Sequence, residues 1–290
     1  MYAANDGKYT LLVMDDPEPL NPRVDCDNLG RMVCWHSRYS LGDKHSFSDP
    51  EEFLRDLYRR NICDKGKQLI AYLKSHKAHG AFLEYNRSKR EWDLYVRCYW
   101  RTVLGSSEPD WEVMRSAPKD QLNDSGWFID DMLEALTIDD LKELLGEMTD
   151  IVILPLYLYD HSIQSISTAS FYGRAQHAEW DSGQVGYIYA DHEMLEKEYG
   201  TLTKETVQKA ETVLIGEVEA YDCCLRGECY GFRLFENGEE IDSCWGFLGE
   251  LDDIRDDLCG YLPDGIQALA DKLNWVYESE DEYLQQHTAA

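Results

Sequence analysis

The sequence contains no apolar run near 18 residues, which excludes an ordinary membrane-spanning helix. Its first ten residues hold no basic segment followed by an apolar one, so no secretory signal is expected. Cations are scarce. Lys and Arg number 28 against 56 Asp and Glu, a net charge of −28 over 290 residues. With a pI near 4.5, most of such a surface repels phosphate. That argues against direct nucleic-acid binding and favours a basic partner. No C-x-x-C pair occurs among the nine cysteines, and their odd number points to reduced cytosolic thiols. Also missing are G-x-x-x-x-G-K-[ST], G-x-G-x-x-G after a strand, H-E-x-x-H and G-x-S-x-G. Their absence weakens nucleotide-dependent, zinc-protease and common esterase readings, and no cofactor is expected. Internal repeats and low-complexity tracts are absent as well.

What is present argues for a packed core. Hydrophobic residues make up 43% and aromatic residues 12%, with 19 Tyr and 8 Trp, unlike a disordered acidic chain. The length allows one large domain or two ordinary ones. Charge is uneven along the chain: residues 51–115 hold 13 basic and 10 acidic groups, net +3, whereas residues 191–290 hold 7 and 25, net −18. This asymmetry suggests a separable insert or subdomain at about 50–115.

The local signals are mixed. Residues 1–30 read as an irregular arm with one short strand at Tyr9–Met14, and Met32–Tyr39 reads as a strand. Asp49 followed by Pro50 and Glu52 signals a helix start, carried on by Phe53, Leu54, Leu57 and Tyr58. Leu69, Ile70, Tyr72 and Leu73 give a second helix. Trp92, Leu94, Val96, Cys98 and Trp100 alternate as a strand does, pairing with Ala81–Tyr85. Residues 105–125 read as a loop. Thr137 and Asp140 cap a helix, Ile151–Tyr159 reads as a buried strand, and Ile163–Thr168 and Gln184–Ala190 as its neighbours. Asp191 and Thr203 cap two further helices. Asn237-Gly238 joins two strands in a hairpin, and helices near 250–259 and 264–277 close the chain. Hairpins mixed with helices predict an α+β fold with packed helices and possible subdomains.

Several constellations carry candidate chemistry. Asp160, His161 and Asp181 lie among Ser162, Ser167, Thr168 and Trp180-Asp181-Ser182-Gly183-Gln184, and can hold a divalent metal or orient a base beside a serine. The same residue types also build tight turns. Asp222 and Asp242 can bind Mg²⁺ if the hairpin folds onto the preceding helix. Glu219, Tyr221, Ser243, Cys244 and Trp245 lie beside them. Cys34, His36 and His45 form a loose nucleophile-and-base set. Cys223, Cys224, Cys229 and Cys244, with His192 or His161, are the nearest approach to a zinc pattern. Arg59, Arg60, Lys65, Lys67, Lys74, Lys77, Arg87, Lys89, Arg90 and Trp92 offer a basic, aromatic-containing segment. The densest acid is Glu250, Asp252, Asp253, Asp256 and Asp257, then Glu278, Glu280, Asp281 and Glu282. It reads either as solvated helix faces with a frayed tail or as one outward surface imitating a phosphate backbone.

Three stretches resemble a widespread family of phage and prophage proteins. They are Asn28-Leu29-Gly30 with Cys34, His36 and Arg38-Tyr39-Ser40-Leu41-Gly42-Asp43; Leu154–Ser162 with Trp180–Gly186; and Glu217-Val218-Glu219 with Tyr230-Gly231-Phe232 and Asp242–Phe247. The resemblance covers a third to a half of the chain and leaves out 51–150, which it implies is an insert, mostly helical with one hairpin, in an α+β core formed by 1–50 and 151–290. It implies a small soluble protein of a mobile element, working in a bacterial cytoplasm. Taken with the charge, the expected function is a phage-encoded anti-defence inhibitor or adaptor. It would bind a basic host protein, such as a CRISPR or restriction nuclease, through a nucleic-acid-mimicking surface, an analogy of class. The alternatives are a metal-dependent hydrolase or nuclease using Asp160, His161 and Asp181, and a phage structural or accessory protein.

Overall fold

A computed structural model describes residues 1–62, 66–101, 107–122 and 126–288. The chain opens with a hairpin of β1 (Tyr2–Asn5) and β2 (Tyr9–Asp15), then a one-turn helix α1 (Pro22–Asp25) and β3 (Arg31–Cys34). Helices α2 (Pro50–Arg60) and α3 (Lys67–Lys74) precede β4 (Ala81–Asn86), β5 (Glu91–Arg101) and β6 (Ser107–Pro118). Next come α4 (Gly126–Glu134), α5 (Ile138–Gly146), β7 (Val152–Asp160) and β8 (Gln164–Ser167). They are followed by α6 (Ala178–Asp181), β9 (Ser182–Ala190), α7 (His192–Tyr199) and α8 (Lys204–Arg226). The last part holds β10 (Cys229–Glu236), β11 (Glu239–Leu248), α9 (Leu251–Tyr261), a 3-10 turn (Gln267–Lys272), β12 (Asn274–Trp275) and α10 (Glu280–Thr288). The fold is α+β, with sheets ordered β11-β10-β2-β1-β12, β3-β9-β7-β8 and β4-β5-β6. Among the described residues no helix is long and apolar enough to cross a membrane.

The chain forms two compact units. The first is Met1–Cys34, Leu154–Ile188 and Thr212–Ala290; the second is Trp35–Ile153 and Tyr189–Glu211. Residues 35–50 and 189–211 thus fall in the same unit as 51–150.

In the first unit, the supposed N-terminal arm supplies two inner strands of an antiparallel sheet. β2 pairs with β1 and with β10, matching Val13 to Phe232 and Leu11 to Leu234. The two-residue period of a strand sends Leu11 and Val13 to one face and Leu12 to the other. Ile254 and Leu258 of α9 cover the first face, packing on Leu11, Val13, Phe232 and Leu234. Tyr283 of α10 covers the opposite face with Ala3, Leu12 and Phe235. The helix expected at 264–277 is a 3-10 turn leading into β12, whose Asn274 pairs with Ala3. The tail beyond it is a helix rather than a frayed end. Ser279 and Glu282 form a capping pair, the Ser279 hydroxyl donating to Glu282 at 2.9 Å.

Asn237-Gly238 makes the expected hairpin, with φ of +48° and +85°. Its strands meet tightly. Gly231 lies opposite Trp245, and a Cβ at residue 231 would overlap the indole ring. Gly231→Ala should therefore displace Trp245 and cost about 1–3 kcal/mol, the usual range for overpacking. Urea unfolding followed by tryptophan fluorescence would measure it. An unchanged midpoint would mean the ring moves freely.

In the second unit the sequence signals act as read at the caps. The Asp49 side chain accepts from Glu52 N at 2.8 Å with Pro50 in the first helical turn. Thr137 and Asp140 form a reciprocal capping box. The expected β4–β5 hairpin is present, but residues 107–118 of the expected loop form β6, antiparallel to β5. Segment 51–150 therefore carries a three-stranded sheet beside its helices, not a single hairpin. Gly105 and Ser106 lie outside the described residues. Pro109 and Pro118 sit on β6, which is an edge strand, where a missing N–H is tolerated.

Candidate functional site

His161 follows β7 and Asp181 ends α6, and the fold brings them together with Nδ1 and Oδ2 2.8 Å apart. The pair is open to solvent. The His161 ring lies 6.0 Å from Tyr159 and from His177. Asp160 sits in the β7–β8 register opposite Gln164. No group of three or more His, Cys, Asp or Glu among the described residues could hold a metal ion. This overturns the metal-centre arrangement expected for Asp160, His161 and Asp181. The surrounding polar residues build turns. The Ser182 hydroxyl donates to Ala178 O at 2.6 Å, and Ala169 N donates to Ser167 Oγ at 3.2 Å. Trp180 is 84% exposed and packs no core.

Asp222 and Asp242 are engaged separately. Asp222 accepts from Ser165 Oγ at 2.8 Å and Ile166 N at 2.7 Å, tying α8 to β8, and meets Arg226 at 3.1 Å. Asp242 accepts from Ser243 N on the exposed edge strand β11. The expected carboxylate pair does not form. Asp222 instead lines a cleft of about 630 Å³ together with Phe171, Arg174, Glu219, Cys223 and Arg226. Arg226 also meets Glu228 at 2.6 Å and Glu250 at 3.9 Å. Burial pushes the Glu228 carboxyl up against the pull of Arg226.

The other candidates resolve into structure. Burial pushes the Cys229 thiol up to about 12 and raises Cys223 as well, whereas zinc takes thiolates. His36 Nδ1 accepts from Tyr39 N at 3.2 Å and its ring stacks on Tyr39, so this histidine serves its own turn. His45 meets the Trp35 ring edge-on. In the basic segment, Arg59 pairs with Asp130, and Arg60 pairs with Asp56 and Asp191 at 2.8 Å each. Lys74 lies 4.1 Å above the Trp92 ring. These pairings consume cations that a nucleic-acid groove would need. Cys63 and Lys65 lie outside the described residues.

The acidic runs are divided. Glu250, Asp252, Asp253, Asp256 and Asp257 belong to α9 and its cap, on one face of the five-stranded sheet. Glu278, Glu280, Asp281 and Glu282 lie at or just before the start of α10, on the opposite face. They do not make the single coherent surface expected. Their neutralisation differs too. Glu280 pairs with Arg233 and Glu282 is spent on the Ser279 cap. On α9, Asp252 meets Arg255 at 3.4 Å, while Asp253, Asp256 and Asp257 are exposed and without an ion pair among the described residues. The sequence does not reveal this division, because it depends on which face each helix covers. The buried Tyr283 at helical register with a Ser279 cap was the signal for α10.

The chain matches no family model, no curated protein and no solved structure.

Proposed function

We propose that this protein binds a basic partner protein through the exposed carboxylates of α9, and that the partner is a nucleic-acid-binding defence protein of a bacterial host. The observation that carries the reading is the outer face of α9, where Asp253, Asp256 and Asp257 stand exposed without an ion pair among the described residues. Uncompensated carboxylates on one helix attract a cationic groove and speed its encounter. The partner class follows from the charge and from the resemblance to phage proteins. α10 contributes less, because Arg233 and Ser279 already occupy two of its carboxylates.

The test is capture of DNA- and RNA-binding proteins from a bacterial lysate, with added duplex DNA as competitor. Asp252→Asn, Asp253→Asn, Asp256→Asn and Asp257→Asn combined should slow association about tenfold or more, within the range of electrostatic steering. Glu278→Gln with Asp281→Asn should change it little. Raising the salt should weaken capture steeply, since exposed charges act within about 8–10 Å at physiological ionic strength. Capture that ignores salt, competitor DNA and the α9 variant would remove the proposal.

A further inference from the structure

The structure sets His161 beside Asp181 at 2.8 Å, His192 beside Asp150 at 3.1 Å and His79 beside Asp140 at 3.2 Å. Their carboxylates differ in burial. The Asp181 and Asp150 side chains are 31% and 29% exposed, whereas Asp140 is fully buried and His79 is 66% exposed. Asp140 is held in place by several donors. His79 N, Gly80 N, Thr137 N and the Thr137 hydroxyl donate to it at 2.7–3.0 Å. An ionised carboxylate only accepts, so His79 presents Nδ1–H to Asp140 and its Nε2 lone pair on the far side of the ring.

His79 also lines a cavity of about 370 Å³, whose other walls include Arg97, Tyr99, Met114 and Glu134. Arg97 N donates to Gly80 O at 2.9 Å, which sets residue 97 beside His79 in the chain packing. The Arg97 guanidinium lies 5.2 Å from the Tyr99 ring centre and forms no ion pair among the described residues. Tyr99 and Met114 are exposed apolar groups on the same cavity. The cavity therefore joins a base oriented by a buried acid, a cation and an apolar wall.

We propose that His79 is the general base of a site in the second unit that hydrolyses a carboxylic ester, with Arg97 receiving the developing oxyanion and Tyr99 and Met114 holding the apolar part of the substrate. Water hydrogen-bonded to Nε2 gives its proton to the imidazole as its oxygen bonds to the acyl carbon. The carbonyl electron pair moves onto oxygen, facing Arg97. Collapse of this intermediate breaks the bond to the alcohol oxygen, which takes the proton back from Nε2. The products are a carboxylic acid, ionised at neutral pH, and an alcohol. Asp140 is a positioning residue, holding the tautomer and ring direction as the third member of a triad does.

The test uses the full chain and p-nitrophenyl acetate. Hydrolysis should exceed that by free imidazole at equal concentration by about 100-fold, the lower range for a positioned base. His79→Gln should remove that excess, while His161→Gln and His192→Gln keep it. Arg97→Met should lower kcat/KM about tenfold, one hydrogen-bonded charge in the transition state, with partial recovery in Arg97→Lys. Asp140→Asn, assayed while circular dichroism shows it folded, should lower kcat with KM unchanged. A wild-type rate no greater than that of imidazole, or an excess that survives His79→Gln, overturns the proposal.

Discussion

Glu217→Ala should lower the stability of the first unit by about 3–5 kcal/mol, the cost of stranding one partner of a buried ion pair. The Arg23 side chain is 1% exposed and Glu217 11%, with Nη1 and Oε2 2.8 Å apart. Glu217 also accepts from Leu29 N at 2.6 Å and Gly30 N at 3.1 Å. Arg23 donates to Asn28 Oδ1 at 2.9 Å and Gly30 O at 2.7 Å. Loss of the carboxylate leaves a buried guanidinium and two backbone N–H groups short of an acceptor. Glu217→Gln keeps an acceptor oxygen and should lose less. Urea unfolding followed by circular dichroism distinguishes them. A loss below about 1 kcal/mol for the alanine variant would place the pair among solvated ones. Asn28-Leu29-Gly30 and Glu217, quoted above for their resemblance to phage proteins, thus form one structural network.

Asp140→Ala should destabilise the second unit by at least about 3 kcal/mol, since two or more bonds to a charged acceptor are worth about 1.5–3 kcal/mol each. Burial pushes the Asp140 carboxyl up, but the N–H donors of His79, Thr137 and Gly80, with the Thr137 hydroxyl, outweigh it and hold it below the usual carboxylate range. A folded value below the unfolded one favours the ionised folded form. The stabilisation is therefore fully present above the unfolded value, about 3.9, and is lost as pH falls through the depressed folded value. Thermal unfolding from pH 7 downward should show the gap between wild type and Asp140→Asn closing only in strong acid. A gap that closes near neutrality would contradict the assignment.

Local chemistry made much of the fold legible. Asp49, Thr137 with Asp140, and Asp191 cap their helices as their side chains predict. Thr203 does so for α8, accepting from Thr206 N at 3.2 Å. The alternation from Trp92 to Trp100 gave β5, and Asn237-Gly238 gave the β10–β11 turn. What escaped depends on distant partners. β2 was legible as the short strand at Tyr9–Met14, but β1 is only four residues long and becomes sheet because β2 and β12 flank it. β6 carries prolines and glutamates, which an edge strand accepts and a propensity reading rejects. The 264–277 segment has helical spacing, yet Asn274 and Trp275 turn to strand because β1 offers them an edge. Of the candidate site, His161 and Asp181 were legible as a pair. His79 and Asp140 were not, since 61 residues separate them and Asp140 reads first as a helix cap.

The pairing of β2 with β10 sets a timetable for synthesis. Val13 waits for Phe232, roughly 220 residues later, which at about 5–20 residues per second takes some 10–40 seconds on the ribosome. During that interval the greasy hairpin of Leu11, Leu12 and Val13 has emerged with neither its neighbour strand nor its covering helices. The longest stretch of the second unit, residues 35–153, is by then complete and free to fold. A nascent chain thus carries one part that can mature early and another that stays uncovered until translation is nearly over.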